Sequence, residues 1–197
     1  MSEVINLTKG QRIDLSKVAP TTTKFHIGLG WDTNKYDGSA AFDLDSSAFL
    51  LKDGKAVDMG SLVYYGKLKS DCGSIIHHGD NLTGDGAGDD EVIEVDTAKI
   101  DTTKYNEVEI SVTIYDADTR KQTFGQVDNA YIRIFDPATG KEVCRYDLTE
   151  DYSGSTAVVV GKIYFKDGSW RVQAIGGGYT GGLAAICAAV GLAALNG

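Results

Sequence analysis

The chain has 197 residues, 42% of them hydrophobic, with 24 glycines, two prolines and a net charge of −9 from 19 basic and 28 acidic residues. That length suits one domain or two small ones, with apolar content enough for a buried core, while the acidic balance argues against nucleic acid as the main partner. Three cysteines without paired spacing, and no apolar leader at the start, point to the reducing cytoplasm, and the longest apolar run, Leu183–Leu195, is too short to span a bilayer.

Strand patterns dominate the chain. Phe25, Ile27 and Leu29 alternate in KFHIGLGW, and FDLD (42–45) alternates before the apolar run 48–51. Then follow LVYY (62–65), EVIEVD (91–96), EVEISVTIYD (107–116), AYIRIFD (130–136), EVCRYDL (142–148), TAVVVGKIYF (156–165) and WRVQAI (170–175). Val108, Ile110, Val112 and Ile114 keep a period of two, which marks a strand with one buried face. KDGK (52–55), DPATGK (136–141) and KDGSW (166–170) are turn signals. Eight or more strands with short spacers predict an antiparallel β-sandwich. Short helical pieces are expected near 97–103 and 117–123, and an Ala/Leu-rich helix over 181–195. No linker or internal repeat divides the chain, so one domain is expected over 1–197.

The acidity is local. Between Ser70 and Ala98 there is no Lys or Arg, but there are eight acids: Asp71, Asp80, Asp85, Asp89, Asp90, Glu91, Glu94 and Asp96. Acid-rich runs are usually solvated faces. Here glycines punctuate the run GDNLTGDGAGDDE (79–91) and strands flank it. Clustered carboxylates repel, and without a cation some must take up protons. Calcium instead gathers six to eight oxygens from carboxylates, carbonyls and water. Asp80 and Glu91 fit the two ends of a twelve-residue EF-hand loop, but Leu82, Gly84 and Asp85 break its interior and the flanks are strands. Asp32 ends one strand, Asp43 and Asp45 open the next, and Asp116, with Asp118 after it, ends another. If 23–30 and the strand after Asp43 form a hairpin, Asp32, Asp43 and Asp45 share one end of a sheet. For Asp32, Asp116 and Asp118, turn chemistry or helix capping is an equal reading.

GDNLTGDGAGDDE, together with GLGWD (28–32), FDLDSSAFLL (42–51), YDADTRKQTFGQVDNAYIRI (115–134), RYDLTED (145–151) and GGGYTGGLAAIC (176–187), resembles the TerD family of bacterial tellurium-resistance and stress proteins. The resemblance runs almost end to end. It implies a calcium-binding β-sandwich without established catalytic activity, encoded with other stress-resistance proteins. Asp80, Asn81, Thr83, Gly84, Gly86, Gly88, Asp89, Asp90 and Glu91 fall on the fixed positions of the family motif, and Asp43 and Asp45 on its FDLD segment. Leu82, Asp85 and Ala87 fall on variable ones, Ala87 where some relatives carry another acid. The expected ligand set is Asp32, Asp43, Asp45, Asp80, Asn81, Thr83, Gly84, Asp85, Gly88, Asp89, Asp90, Glu91 and Asp116, with Asp80, Asn81, Asp89, Asp90 and Glu91 ranked before Asp85. Two calcium ions are expected, because one seven-coordinate site leaves acids unpartnered. The expected partners are proteins of a stress-resistance complex, or an anionic membrane at the inner face of which the chain would be peripheral.

Other patterns read differently. Gly176, Gly178 and Gly181 imitate a dinucleotide fingerprint, but too little chain follows for a second strand. His77 and His78 are adjacent on a strand, point opposite ways and make a poor chelating pair. His26 lies opposite Phe25 and Ile27 and reads as structural or surface. Two other functions compete with the calcium module: a metal-dependent hydrolase using the same loop, and a thiol-based detoxifier using Cys72, Cys144 or Cys187.

Overall fold

The computed structural model describes residues 4–32, 41–84, 88–148 and 152–192. Asp85, Gly86, Ala87 and the last residues of the expected 181–195 helix lie outside them. In chain order the strands are β1 (Ile5–Asn6), β2 (Arg12–Asp14), β3 (Lys24–Gly30), β4 (Leu44–Lys52), β5 (Lys55–Ala56), β6 (Leu62–Val63), β7 (Ile75–His77), β8 (Glu91–Asp96), β9 (Glu107–Ile114), β10 (Tyr131–Phe135), β11 (Glu142–Asp147), β12 (Ala157–Lys166) and β13 (Ser169–Tyr179). The α-helices are α1 (Leu15–Val18), α2 (Ala117–Arg120) and α3 (Gly182–Ala189). The expected helical piece at 97–103 is a single 3-10 turn, Thr97–Lys99, because Asp96 caps Ala98 N and the chain is extended again at Ile100.

Two sheets pack face to face. One runs β1-β11-β10-β3-β8-β7; the other runs β2-β13-β12-β9-β4-β5, with β6 also on β4. All pairings are antiparallel except β1 with β11, where the N-terminal strand lies parallel at the sheet edge. The expected hairpin of β3 and β4 does not form: β3 pairs with β8 and β10, and β4 with β9 in the opposite sheet. The chain crosses between layers there instead, and the Trp31 indole NH donates to the Phe42 carbonyl at 3.1 Å. Both strand ends therefore still meet at one end of the sandwich.

Alternation sorts the side chains. On β4, Leu44, Ala48 and Leu50 enter the core between the sheets, packed with Ile27, Leu29, Ile93, Val108 and Ile110. Phe49 and Leu51 face the other way, where Ile186, Val190 and Leu192 cover them. An Ala/Leu-rich α3 thus buries part of the outer face of the second sheet, and the second half of β4, 48–51, reads as a continuous apolar run for that reason. Burying each such large side chain contributes roughly 1.5–3 kcal/mol. The glycine cluster before α3 serves docking. Gly181 and Gly182 have φ of +98° and +61°, and their N–H groups donate to Thr156 Oγ1 at 3.2 and 3.3 Å. The helix N-terminus is capped from β12's approach and does not await a phosphate.

Candidate metal centre at the end of the sandwich

β5 and β6 pair only with the second half of β4, through Ala48, Phe49, Leu51 and Lys52. Its first half, 44–47, is bonded to β9 on one side and has no strand on the other among the described residues. At this free edge the Ser46 N–H donates to Glu91 Oε2 at 2.7 Å, and Ser46 Oγ donates to the same oxygen at 2.7 Å. The His77 Nε2 atom lies 3.4 Å from Oε2 and 3.2 Å from Ser46 Oγ. Gly79 N–H donates to His77 Nδ1 at 3.2 Å, which places the proton of a neutral ring on Nε2, facing this group.

The three acids Asp43, Asp45 and Asp80 each bring a carboxylate oxygen within 4.8 Å of the others. Asp43 and Asp45 are 4% exposed and Glu91 2%. Asp43 Oδ1 and Glu91 Oε1 are buried with no hydrogen-bond partner among the described residues. Burial, with Glu91, Asp43 and Asp80 adding repulsion, pushes Asp45 up to about 8. Burial and the charge of Asp80 push Asp43 up to about 6, against the pull of Arg120. Burial and the Glu91 carboxyl beside it also push Asp80 upward. The compensating cation nearest Asp43 is Arg120, whose Nη1 is 3.8 Å from its Oδ2. Unpaired buried carboxylates cost several kcal/mol each unless they protonate or meet a cation. Their all-oxygen chemistry suits a hard divalent ion such as calcium.

A second acidic group lies beside it. Asp90 accepts the Trp31 N–H at 3.0 Å and the Asn81 side-chain amide at 3.1 Å. Burial pushes Asp90 upward, with the charges of Asp89, Glu91 and Asp32 reinforcing it against the Trp31 hydrogen bond. Asp32, Asp90 and Asp147 line one cleft with the Gly88 backbone, and Asn129 donates to Asp32 Oδ2 at 2.6 Å. Asn81 Oδ1 meanwhile receives the N–H groups of Thr83 and Gly84, each at 3.1 Å, closing the loop turn. Gly84 has φ +68° and lies flat against the Trp31 indole, where a Cβ would sit 2.5 Å from Nε1. Its motif position answers to this close approach.

Two expected ligands are placed elsewhere. Both Asp89 oxygens are held by the Arg133 guanidinium, at 2.8–3.0 Å, and Tyr131 OH donates to Oδ1 at 3.2 Å. The carboxylate occupies the space above Gly28, where a Cβ would collide with it. Asp89 is thus drawn to the outer face of the first sheet by a cation 44 residues away, which loop spacing alone does not reveal. Asp116 stands exposed at the start of α2 in a left-handed conformation (φ +50°), outside the clustered acids. It shares only a shallow depression with Asp45, Tyr65 and Thr113. Sequence reasoning misses Ser46, His77 and Trp31. The serine's signal is its place in FDLDSS, a polar residue in an otherwise apolar inward row. Around the acids stand exposed Leu82 (60%), Tyr65 (40%) and Tyr115 (45%), the two tyrosine rings 6.1 Å apart.

Of the three cysteines, all free, Cys144 is buried, which pushes its thiol up to about 12, and Cys72 is exposed. They do not converge on one another or on the acids.

Residues 3–189 match the TerD domain. General stress protein 16U of Bacillus subtilis (strain 168) is 48% identical over 189 residues, 95% of this chain and 97% of that protein. Tellurium resistance protein TerD of Serratia marcescens is 45% identical over 191 residues, 95% of this chain and 97% of the relative. Among solved structures, the unknown function protein SAV2460 superposes with TM-score 0.71 at 29% identity, covering 85% of this chain and 95% of that one. A homologue of telluride resistance protein (TerD), SCO6318 from Streptomyces coelicolor A3(2), superposes with TM-score 0.70 at 22% identity, over 86% of this chain and 96% of that one, and shares the fold.

Proposed function

The chain belongs to the TerD family of stress and tellurium-resistance proteins, and on that premise we propose that it is a cytoplasmic calcium-binding module acting by Ca2+-dependent interaction rather than catalysis. One observation carries the reading: Asp43 and Glu91 each hold a buried carboxylate oxygen without a partner, beside Asp45 and Asp80, in a cluster short of positive charge. Asp43, Asp45, Asp80 and Glu91 would hold one ion. Asp32 and Asp90, with the Gly88 backbone, would serve a second. Ser46 and His77 orient Glu91 so that its free oxygen is kept for the cation.

Calcium neutralises this end of the sandwich and stabilises the folded loop by mass action. The rim of Leu82, Tyr65 and Tyr115 then offers apolar anchors next to a charge-compensated surface, suited to a protein partner of a stress-resistance complex or to an anionic membrane at its inner face. Calorimetric titration with calcium, paired with a thermal melt, tests the reading. Saturable binding with a rise in melting temperature supports it. No heat at millimolar calcium and an unchanged melt would sink it.

A further inference from the structure

We propose that His26, His78 and Glu94 form a second kind of metal site, for zinc or a similar borderline transition ion, on the outer face of the first sheet. Two of the residues sit on neighbouring strands, β3 and β8, and the third directly follows β7. His26 is paired directly with Glu94 across β3 and β8, and Ile76 with Glu94 across β7 and β8. His78 follows β7 and continues its register, donating its N–H to the Val92 carbonyl at 2.9 Å. Alternation turns His77 into the core and His78 onto the same face as Ile76, Glu94 and His26. The adjacent histidines do not chelate together; each works on its own side of the sheet.

Both imidazoles aim Nε2 at one oxygen. His26 Nε2 is 3.2 Å from Glu94 Oε2 and His78 Nε2 is 3.7 Å from it, and all three donor atoms lie within 4.8 Å of one another. A tetrahedral zinc ion with bonds of about 2.0–2.1 Å keeps any two ligand atoms about 3.3 Å apart, close to what is already present. The rings are held for it. His26 packs edge-on against Phe135 at 5.3 Å, and Lys24 anchors the other Glu94 oxygen at 3.0 Å, leaving Oε2 to the histidines. The set is two nitrogens and one oxygen, with the half-exposed His78 leaving a coordination position open to solvent. That donor mix suits zinc and disfavours calcium, whose ligands are oxygens. On the opposite face of β7 and β8, His77 and Glu91 point inward toward the acidic cluster, so the two sites are chemically separate.

The test is a calorimetric titration of the calcium-saturated full chain with zinc chloride, repeated with cobalt(II), whose visible absorption reports nitrogen ligation. The expected result is one zinc per chain, with affinity lowered roughly tenfold or more in His78→Ala, in His26→Gln and in Glu94→Gln. His78 is solvent-facing, so His78→Ala leaves the metal-free melt close to the parent's. Cys72→Ser, at an exposed thiol outside the group, leaves the zinc isotherm unchanged. The proposal is overturned by absence of saturable zinc binding, by binding that survives both His78→Ala and His26→Gln, or by binding lost in Cys72→Ser.

Discussion

β8 carries Glu91 and Glu94 three residues apart, and the two glutamates live in opposite worlds. Glu91 points between the sheets with one oxygen buried and unpartnered. Glu94 points outward, and although burial alone would raise it, hydrogen bonds from Lys24 and His26 hold it below the ordinary carboxylate range. β7 repeats the division, with His77 2% exposed inside and His78 outside. Acidity by itself does not decide which cation a carboxylate suits; the partners around it do. The outer glutamate has nitrogen partners at hand in Lys24 and His26, while the inner acids are assembled short of positive charge, an imbalance that the proposed calcium would offset.

The largest test of that contrast is removal of an inner acid. Asp45→Asn or Glu91→Gln should abolish high-affinity calcium binding by calorimetry, whereas Glu94→Gln should leave it within about twofold, less than 0.5 kcal/mol. Proton linkage comes next. Asp45 is raised in the folded state to about 8 from 3.8, so the stability its protonated form supplies is fully present below pH 4 and lost as pH rises through about 8. The calcium-free protein should therefore be less stable at pH 8 than at pH 5, by on the order of several kcal/mol in a denaturant melt, and excess calcium should flatten the slope; a flat profile without calcium would break the comparison. At neutral pH, chelation should lower the melting temperature by roughly 5–10 °C, the value for an ion present at about a hundredfold its dissociation constant.

Smaller effects sharpen the boundary of the site. Gly84→Ala places a methyl group on the Trp31 indole at positive φ, and should cost about 1–3 kcal/mol in a denaturant melt while weakening calcium binding through the displaced loop. Asp116→Asn should change affinity least, by under about 0.5 kcal/mol, because its side chain is exposed and outside the cluster.

Much of this was legible in the residues. The alternation of Val108, Ile110, Val112 and Ile114 gave β9, and the two-faced apolar run at 48–51 reflects a strand covered on both sides. Asp43, Asp45 and Asp80 do gather, as loop chemistry and the family motif led one to expect. What was illegible depended on long-range partners. The layer change between β3 and β4 is accompanied by a Trp31–Phe42 hydrogen bond, and Arg133 holds Asp89 away from the other acids; neither is encoded in local periodicity. β1, β2 and β7 are two or three residues long, too short for a period to register. The same blindness hid the row His26–Glu94–His78, which exists only once three strands are in register.

The first half of β4, with no strand on one side among the described residues, has a consequence of its own. An unpaired strand edge is a template on which another chain can add. Here a carboxylate, not a neighbouring strand, caps it: Glu91 takes the Ser46 N–H, and an acid fence of Asp43, Asp45 and Asp80 stands around the opening. A buried side chain that takes the strand's own N–H closes the ladder from within, so one carboxylate both finishes the edge with one oxygen and keeps its other oxygen for the proposed ion.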